Sequence, residues 1–167
     1  MVKKNLTITL YKSELLYDIR NLTYLTGRSR QNGNNHEEVA NMQASEDEED
    51  NNQILRSIGN ALDSLKTKLS EYYSVESVTT SNDELLDSTG DITIKLTMPS
   101  NYNSATSDSI TSACHQYIVN IATADWFNIT NKADAGDYVA KATANLEMIR
   151  EAANKRVRPT RTEVSSS

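Results

Sequence analysis

The stretch that decides the fold covers residues 104–158 and reads SATSDSITSACHQYIVNIATADWFNITNKADAGDYVAKATANLEMIREAANKRVR. Apolar side chains recur in it every three or four residues, which predicts two amphipathic helices separated by a break at 126–131. The first stripe contains Ile110, Cys114, Tyr117, Ile121 and Ala124, and the second contains Tyr138, Ala142, Leu146, Ile149, Ala153 and Val157. Acidic residues open the second helix and basic residues close it, as the helix dipole favours.

Two further helices are predicted upstream. Residues 54–72 carry the clearest apolar stripe of the chain: Ile54, Ile58, Leu62, Leu65, Leu69 and Tyr72. Near the N-terminus, Ser13 is a candidate cap and Gly27 a candidate helix end, on either side of a third stripe. We therefore expect a four-helix bundle-like core. Its expected anchors are Leu62, Leu65, Leu69, Tyr117, Ile121, Trp126, Tyr138, Leu146 and Ile149.

Three short segments have the composition or alternation of strands. Residues 6–10 and 92–98 alternate apolar and polar side chains, and 75–80 is rich in β-branched residues. We expect a β-hairpin over 75–98, with 6–10 as a third strand. A hairpin that projects as a contact arm is the alternative. The predicted fold class is mainly α (α+β), a four-helix bundle-like core with a small antiparallel β-hairpin or three-stranded element.

The 167 residues fit one domain, which we place at 1–158. Residues 28–52 contain few apolar side chains, and we predict a polar mobile arm there because such a segment buries little apolar area. An arm that orders on a partner is the alternative. Pro159 prevents helix continuation, so 159–167 is expected to be a flexible tail.

Charge is distributed unevenly along the chain. The net charge of −6 is unlike that of a basic nucleic-acid-binding domain. One acidic run and one basic terminus are nevertheless candidates for a subunit or partner interface. They consist of Glu46, Asp47, Glu48, Glu49 and Asp50, and of Lys155, Arg156, Arg158 and Arg161. The alternative interpretation is that both are solvated segments.

Residues suited to catalysis or metal binding are few. Cys114 is the single cysteine, and His115 follows it directly, so the two side chains point about 100° apart on a helix. The sequence contains no phosphate-binding glycine loop and no HExxH pattern. We therefore expect no catalytic residue, no metal site, no cofactor and no enzymatic activity. A signal peptide and a membrane span are not expected either, because no apolar run reaches about 18 residues.

The last third of the chain resembles the head-to-tail connector proteins of tailed bacteriophages, the adaptor or neck-ring subunits that stack under the portal. The resemblance rests on the aromatic corner Ala124-Asp125-Trp126-Phe127 and on a second helix that starts near Asp137 and closes at 150–159. A Leu-Tyr-x-x-x-Leu-Leu-Tyr pattern at 10–17 makes the chain most similar to the crAss-like short-tailed phages of gut Bacteroidetes. The acidic run and the predicted hairpin are not part of the shared pattern.

The resemblance implies a structural virion protein that forms a twelve-fold ring in the phage neck, joins portal and head to the tail, and lets DNA pass. Implied partners are further copies of the chain, the portal, other neck and tail proteins, and packaged DNA by passive contact, with no membrane. The implied location is the virion neck after assembly in the host cytoplasm. One alternative function is a small adaptor whose acidic arm folds on a partner. Another is nucleic-acid binding through 155–161, whose affinity would fall steeply with salt.

Overall fold

The computed structural model describes residues 2–74 and 90–161. This part of the chain contains two strands and five α-helices: β1 (Lys4–Tyr11), α1 (Lys12–Ser29), α2 (His36–Met42), α3 (Glu48–Lys68), β2 (Asp91–Met98), α4 (Ser107–Thr130) and α5 (Lys132–Asn154). A short 3-10 turn, Ser104–Thr106, leads into α4. The predicted mainly helical fold with a small antiparallel sheet is confirmed.

The two strands pair directly with each other. They are antiparallel, with Lys4 opposite Met98 and Tyr11 opposite Asp91. Inward residues of both strands are buried and the residues between them are largely exposed, which is the pattern of a sheet with one covered face. On the edge of β2 away from β1, Leu96 forms an isolated antiparallel bridge with Tyr73. The strand predicted at 75–80 lies outside the described residues. Alternation predicted β1 and β2 but gave no information on which strands pair.

Helix α4 is the centre of the molecule. It packs against α5, and also against α3, α1 and β1. Apolar or small side chains occur all around it, so nearly its whole circumference is buried. Ile110, Cys114, Ile118 and Phe127 are fully inaccessible. A helix that is apolar on all sides is stable only with neighbours around it, which explains its central position.

Among the predicted core anchors, Leu65, Leu69, Tyr117, Trp126, Tyr138 and Ile149 are buried, whereas Leu62, Ile121 and Leu146 are partly buried against the same core. Phe127 and Tyr138 bring α4 and α5 together through rings whose centroids are 5.4 Å apart. The hydroxyl groups of Ser64 and Tyr117 lie 3.0 Å apart and join α3 to α4.

The predicted break at 126–131 is wrong in extent. Helix α4 continues through Trp126 and Phe127 to Thr130, and only Asn131, with φ −157° and ψ 79°, separates it from α5. Both aromatic side chains are buried against neighbouring elements, and this packing keeps the last turn helical. Helix α5 ends at Asn154, so Val157 lies outside the helix and half-exposed, contrary to the predicted stripe.

Gly27 was expected to end α1 but lies inside it. A Cβ atom at this position would lie 2.9 Å from Cγ of Gln43, which is closer than ordinary packing allows. Gly27 therefore allows the segment after α2 to approach α1. The expected Ser13 cap is also wrong, because the helix begins at Lys12 after an extended Tyr11.

Residues 28–52, predicted as a mobile arm, comprise the end of α1, all of α2, the short connections before and after α2, and the start of α3. Val39 is buried, and the Trp126 indole N–H donates to the Met42 carbonyl at 2.7 Å. The Ala44 amide donates to Oγ1 of Thr23 at 3.0 Å. Partners distant in sequence therefore supply contacts that the segment's own composition does not suggest.

Candidate interaction surfaces

The acidic run lies at the beginning of α3. Glu46, Asp47, Glu48 and Glu49 are exposed, and the first helical turn contains three acids. Negative side chains here interact favourably with the positive end of the helix dipole. Asp50 has a local role, because its Oδ2 accepts hydrogen bonds from the amide and the hydroxyl of Ser45, both at 2.8 Å. The four exposed acids remain available to a partner.

The basic terminus divides into two pairs. Lys155 forms an ion pair with Glu151 at 3.1 Å, and Arg156 donates to the carbonyls of Ala153 and Lys155. Both belong to the packing at the end of α5. Arg158 and Arg161 are exposed, and neither has a hydrogen-bond or ion-pair partner among the described residues. These two arginines are therefore the better candidates for an external contact.

The chain beyond α5 is fixed before it reaches these arginines. Arg156 forms a bridge with Tyr102, and the Val157 amide donates to the Asn101 carbonyl at 2.8 Å. Oγ1 of Thr106 donates to the Ala152 carbonyl at 2.9 Å. The exposed segment 158–161 thus leaves the body from a defined point beside the start of α4.

The acidic run and the basic terminus lie at opposite ends of α3 instead of forming one site. At the far end of α3, the Tyr72 hydroxyl donates to Asn154 at 2.6 Å, which brings that end beside the end of α5. Twenty-one helical residues span about 30 Å. Lys66 and Lys68 in the last turn add to the basic end. We call the end at the first turn of α3 the acidic end and the end with Lys66, Lys68 and the C-terminal arginines the basic end. Arg20 also reaches the acidic end, at Asn51, and Glu71 and Glu151 lie at the basic end.

A groove lies between α1 and α2 at the acidic end, and sequence reasoning missed it. Its volume is about 290 Å³, and its walls include Tyr24, Arg28, Gln31, His36, Val39 and Ala40. Tyr24 is half-exposed and Arg28 lines the same groove, whereas the exposed Glu37 and Glu38 are not among its walls. His36, Val39, Ala40 and Gln43 fall on one face of α2, so their spacing was the available signal.

An ion pair joins the acidic end to the body. Arg30 donates from Nε to Asp134 at 3.1 Å and also contacts it through a second guanidinium nitrogen. The hydrogen bond from Arg30 lowers the pKa of Asp134 below its ordinary value, against an opposing effect of burial. This contact places the end of α1 beside the first turn of α5.

Cys114 and His115 do not form a reactive pair. Cys114 is buried, and burial raises its pKa to about 12, so the thiolate nucleophile is disfavoured. His115 Nε2 lies 2.6 Å from Oδ2 of Asp18, which links α4 to α1. No serine, threonine or cysteine side chain within 2–74 and 90–161 hydrogen-bonds to the His115 ring. Sequence analysis missed the Asp18 partner, because 97 residues separate the two.

In the part of the chain that the structure describes, no group of three or more histidine, cysteine and carboxylate side chains is arranged to hold a metal ion. The helices of that part are all too short or too polar to cross a membrane. Comparison with protein-family models, with curated proteins and with solved structures found no match to this chain.

Proposed function

We propose that this chain is a structural, non-enzymatic virion protein that assembles head-to-tail into a ring in the neck of a tailed bacteriophage. The ring joins the portal and head to the tail, and the genome passes through it. Its partners are further copies of the chain, twelve in a complete ring, the portal, other neck and tail proteins, and packaged DNA in passive contact. Its location is the virion neck, after assembly in the host cytoplasm.

The observation that carries the proposal is the separation of charge along α3. Exposed acids lie at its first turn, and Lys66, Lys68 and the C-terminal arginines lie about 30 Å away at its other end. Two identical ends repel each other, whereas the acidic end of one copy attracts the basic end of the next. A contact between two different surfaces repeats from copy to copy, and it closes into a ring when the rotation between neighbours allows.

The net charge of −6 also suits this role. A surface with excess negative charge repels the phosphate backbone, so DNA can move past it without being held. The finer fold predictions, a four-helix bundle-like core and a β-hairpin over 75–98 that 6–10 joins as a third strand, belong to the same proposal.

Sedimentation velocity over a range of ionic strength tests the assembly. We expect the full chain to form oligomers at low salt and to dissociate as salt rises, because screening weakens the attraction between exposed charges. The variant Glu46→Lys/Glu48→Lys should assemble poorly, and Glu14→Lys/Glu147→Lys, which changes the same charge at two other exposed sites, is the matched control. A chain that is monomeric under all conditions, and is missing from purified particles, would contradict the proposal.

A further inference from the structure

The main-chain groups of β2 show which residues of β1 face the free edge of the sheet. On the side of β2 away from β1, the Thr97 amide donates to the Tyr72 carbonyl at 2.7 Å. The Lys95 carbonyl there accepts from the Ser74 amide at 3.0 Å. Odd-numbered residues of β2 therefore direct their amides and carbonyls away from β1. They lie opposite odd-numbered residues of β1, and opposite residues of an antiparallel pair share this orientation.

β1 consequently presents unpaired main-chain groups along its outer edge. The amides and carbonyls of Asn5, Thr7 and Thr9 point away from β2, and all three residues are exposed. No main-chain hydrogen bond joins them to a residue of 2–74 or 90–161 outside the sheet. Donors and acceptors that repeat at the strand period along an exposed edge are a template for an added strand. This pattern selects an extended polypeptide as the occupant.

A cleft at the same edge determines which side chain the added strand carries. It lies between β1 and α4 and has a volume of about 270 Å³. Its walls include Tyr11 of β1, Glu14 of α1, and Ser112 and Gln116 of α4. Inward side chains of β1 point toward α4, so alternate side chains of an added strand would enter this cleft. The four named side chains are exposed and have no hydrogen-bond or ion-pair partner among the described residues.

The charge of the cleft favours a cation. Glu14 contributes a free carboxylate. His115 also lines the cleft, but its Nε2 lies 2.6 Å from Oδ2 of Asp18, so the pair adds no net positive charge in either protonation state of the ring. Lys12 is not among the walls. A lysine or arginine side chain therefore complements the cleft, and Ser112 offers its cationic group a further hydrogen-bond acceptor.

β1 of a second copy does not supply this side chain. Among the inward residues of β1, Leu6, Ile8 and Leu10 pack in the core of their own chain. Nζ of Lys4 donates to the Tyr102 carbonyl at 2.9 Å. Two paired β1 strands would set aliphatic side chains against the polar wall of α4 and leave the carboxylate without a cation. The occupant therefore has a different sequence.

We propose that the free edge of β1 binds an extended segment of another protein, which adds as a strand and inserts a lysine or arginine side chain into the cleft beside Glu14. Main-chain hydrogen bonds to Asn5, Thr7 and Thr9 supply affinity, and the cleft supplies the sequence preference. The contact goes beyond the ring proposed above and does not depend on it, because it involves no second copy.

A peptide of alternating threonine and valine, with lysine in place of the central valine, tests the site on the full chain. In nuclear magnetic resonance titrations it should shift the amide resonances of Asn5, Thr7 and Thr9 and those around Glu14. The same peptide with glutamate in place of lysine should bind at least about tenfold more weakly, because its carboxylate meets a second carboxylate.

Two pairs of variants separate the main-chain contacts from the side-chain contact. Thr7→Pro removes an amide that faces away from β2, which an edge strand tolerates, and should weaken binding about tenfold or more. Thr7→Val keeps the amide and should bind like the unmodified chain. Glu14→Gln should lose most of the preference for the lysine peptide. Glu147→Gln, at an exposed site of α5, is its matched control and should keep that preference.

Hydrogen exchange of the unmodified chain gives a second measurement that needs no variant to fold. The bound lysine peptide should slow exchange of the Thr7 and Thr9 amides at least about tenfold. Unchanged exchange, no binding of the lysine peptide, equal binding of the two peptides, or full binding by folded Thr7→Pro would each overturn the site. Dimers of the unmodified chain that the lysine peptide dissociates would overturn it in favour of a second copy at the edge.

Discussion

Trp126 on α4 donates its indole N–H to the main-chain carbonyl of Met42, the last residue of α2, at 2.7 Å. The two residues are 84 positions apart, and the Trp126 side chain is only 8% exposed. This bond holds the segment after α2 against the central helix. It thereby fixes one wall of the groove and the connection that leads to the acidic end.

Replacing Trp126 with Phe removes this donor and leaves a carbonyl without its partner. We expect the free energy of unfolding to fall by about 0.5–1.5 kcal/mol, the typical net contribution of one hydrogen bond, because Met42 is only partly buried. Urea denaturation measures the change. Ile129→Ala, three residues later and 71% exposed, is the control and should change stability by less than about 0.5 kcal/mol. Equal effects of the two substitutions would show that the bond contributes nothing.

The same contact makes a prediction for hydrogen exchange. In the isolated chain, amides in α2 should be protected, and Trp126→Phe should accelerate their exchange more than that of α4 and α5, because local opening follows local contacts. Fast exchange throughout 36–50 in the unmodified chain, followed by protection when a partner is added, would instead favour an adaptor whose acidic arm folds on that partner.

We expect the effect of Gly27→Ala on the free energy of unfolding to change sign when Gln43 is replaced by Ala. Gly27→Ala alone should stabilise little or destabilise the chain, because the new methyl group meets Cγ of Gln43 at 2.9 Å. In a Gln43→Ala background the same substitution should stabilise by about 0.5–1 kcal/mol, the usual gain of Ala over Gly inside a helix. Thermal or urea unfolding of the four proteins gives the coupling. Purely additive effects would mean that the close approach imposes no constraint.

Asp134 predicts a pH-dependent contribution to stability. Its pKa is lowered in the folded state by the hydrogen bond from Arg30, so its stabilisation is present above the unfolded pKa of about 3.9 and is lost as pH falls through the folded value. Asp134→Asn should therefore be less stable than the unmodified chain at pH 7, and the two unfolding curves should converge in acid. Asp137→Asn, at an exposed neighbouring position, should show a much smaller pH-dependent difference.

For Asp125 we expect the opposite contribution to stability at neutral pH. Burial raises its pKa, so the charged carboxylate costs stability above the folded pKa, and this cost disappears below the unfolded value of about 3.9. Asp125→Asn should increase the melting temperature at pH 7 and have little effect near pH 3. A lower melting temperature at pH 7 would show that the carboxylate has a compensating partner in solution.

Local periodicity predicted the elements well where one face is buried. The stripe from Ile54 to Leu65 belongs to α3, and the alternation of Leu6, Ile8 and Leu10 belongs to β1. The predicted last members of the stripe, Leu69 and Tyr72, lie beyond the end of α3 at Lys68. Helix boundaries were predicted less well. Packing against distant parts of the chain, and not the local sequence, keeps Gly27 and residues 126–130 helical. The contacts of Trp126 with Met42, and of His115 with Asp18, are long-range and have no local signal.

The charged residues of the candidate surface were identified from sequence, but their arrangement was not. The acidic run 46–50 directly precedes the helix predicted at 54–72, but nothing in the sequence indicates that 155–161 lies beside the other end of that helix. Their separation follows from the tertiary contact between Tyr72 and Asn154. The groove was missed for a related reason, since α2 has few apolar residues and its stability comes from packing on α1 and α4.

Electron microscopy of the purified full chain at low salt tests the head-to-tail account most directly. The account predicts closed rings with a central channel, in which every copy makes the same contact with its neighbour and the acidic end of α3 faces the basic end of the next copy. Monomers alone, or closed dimers that pair two identical surfaces, would contradict it.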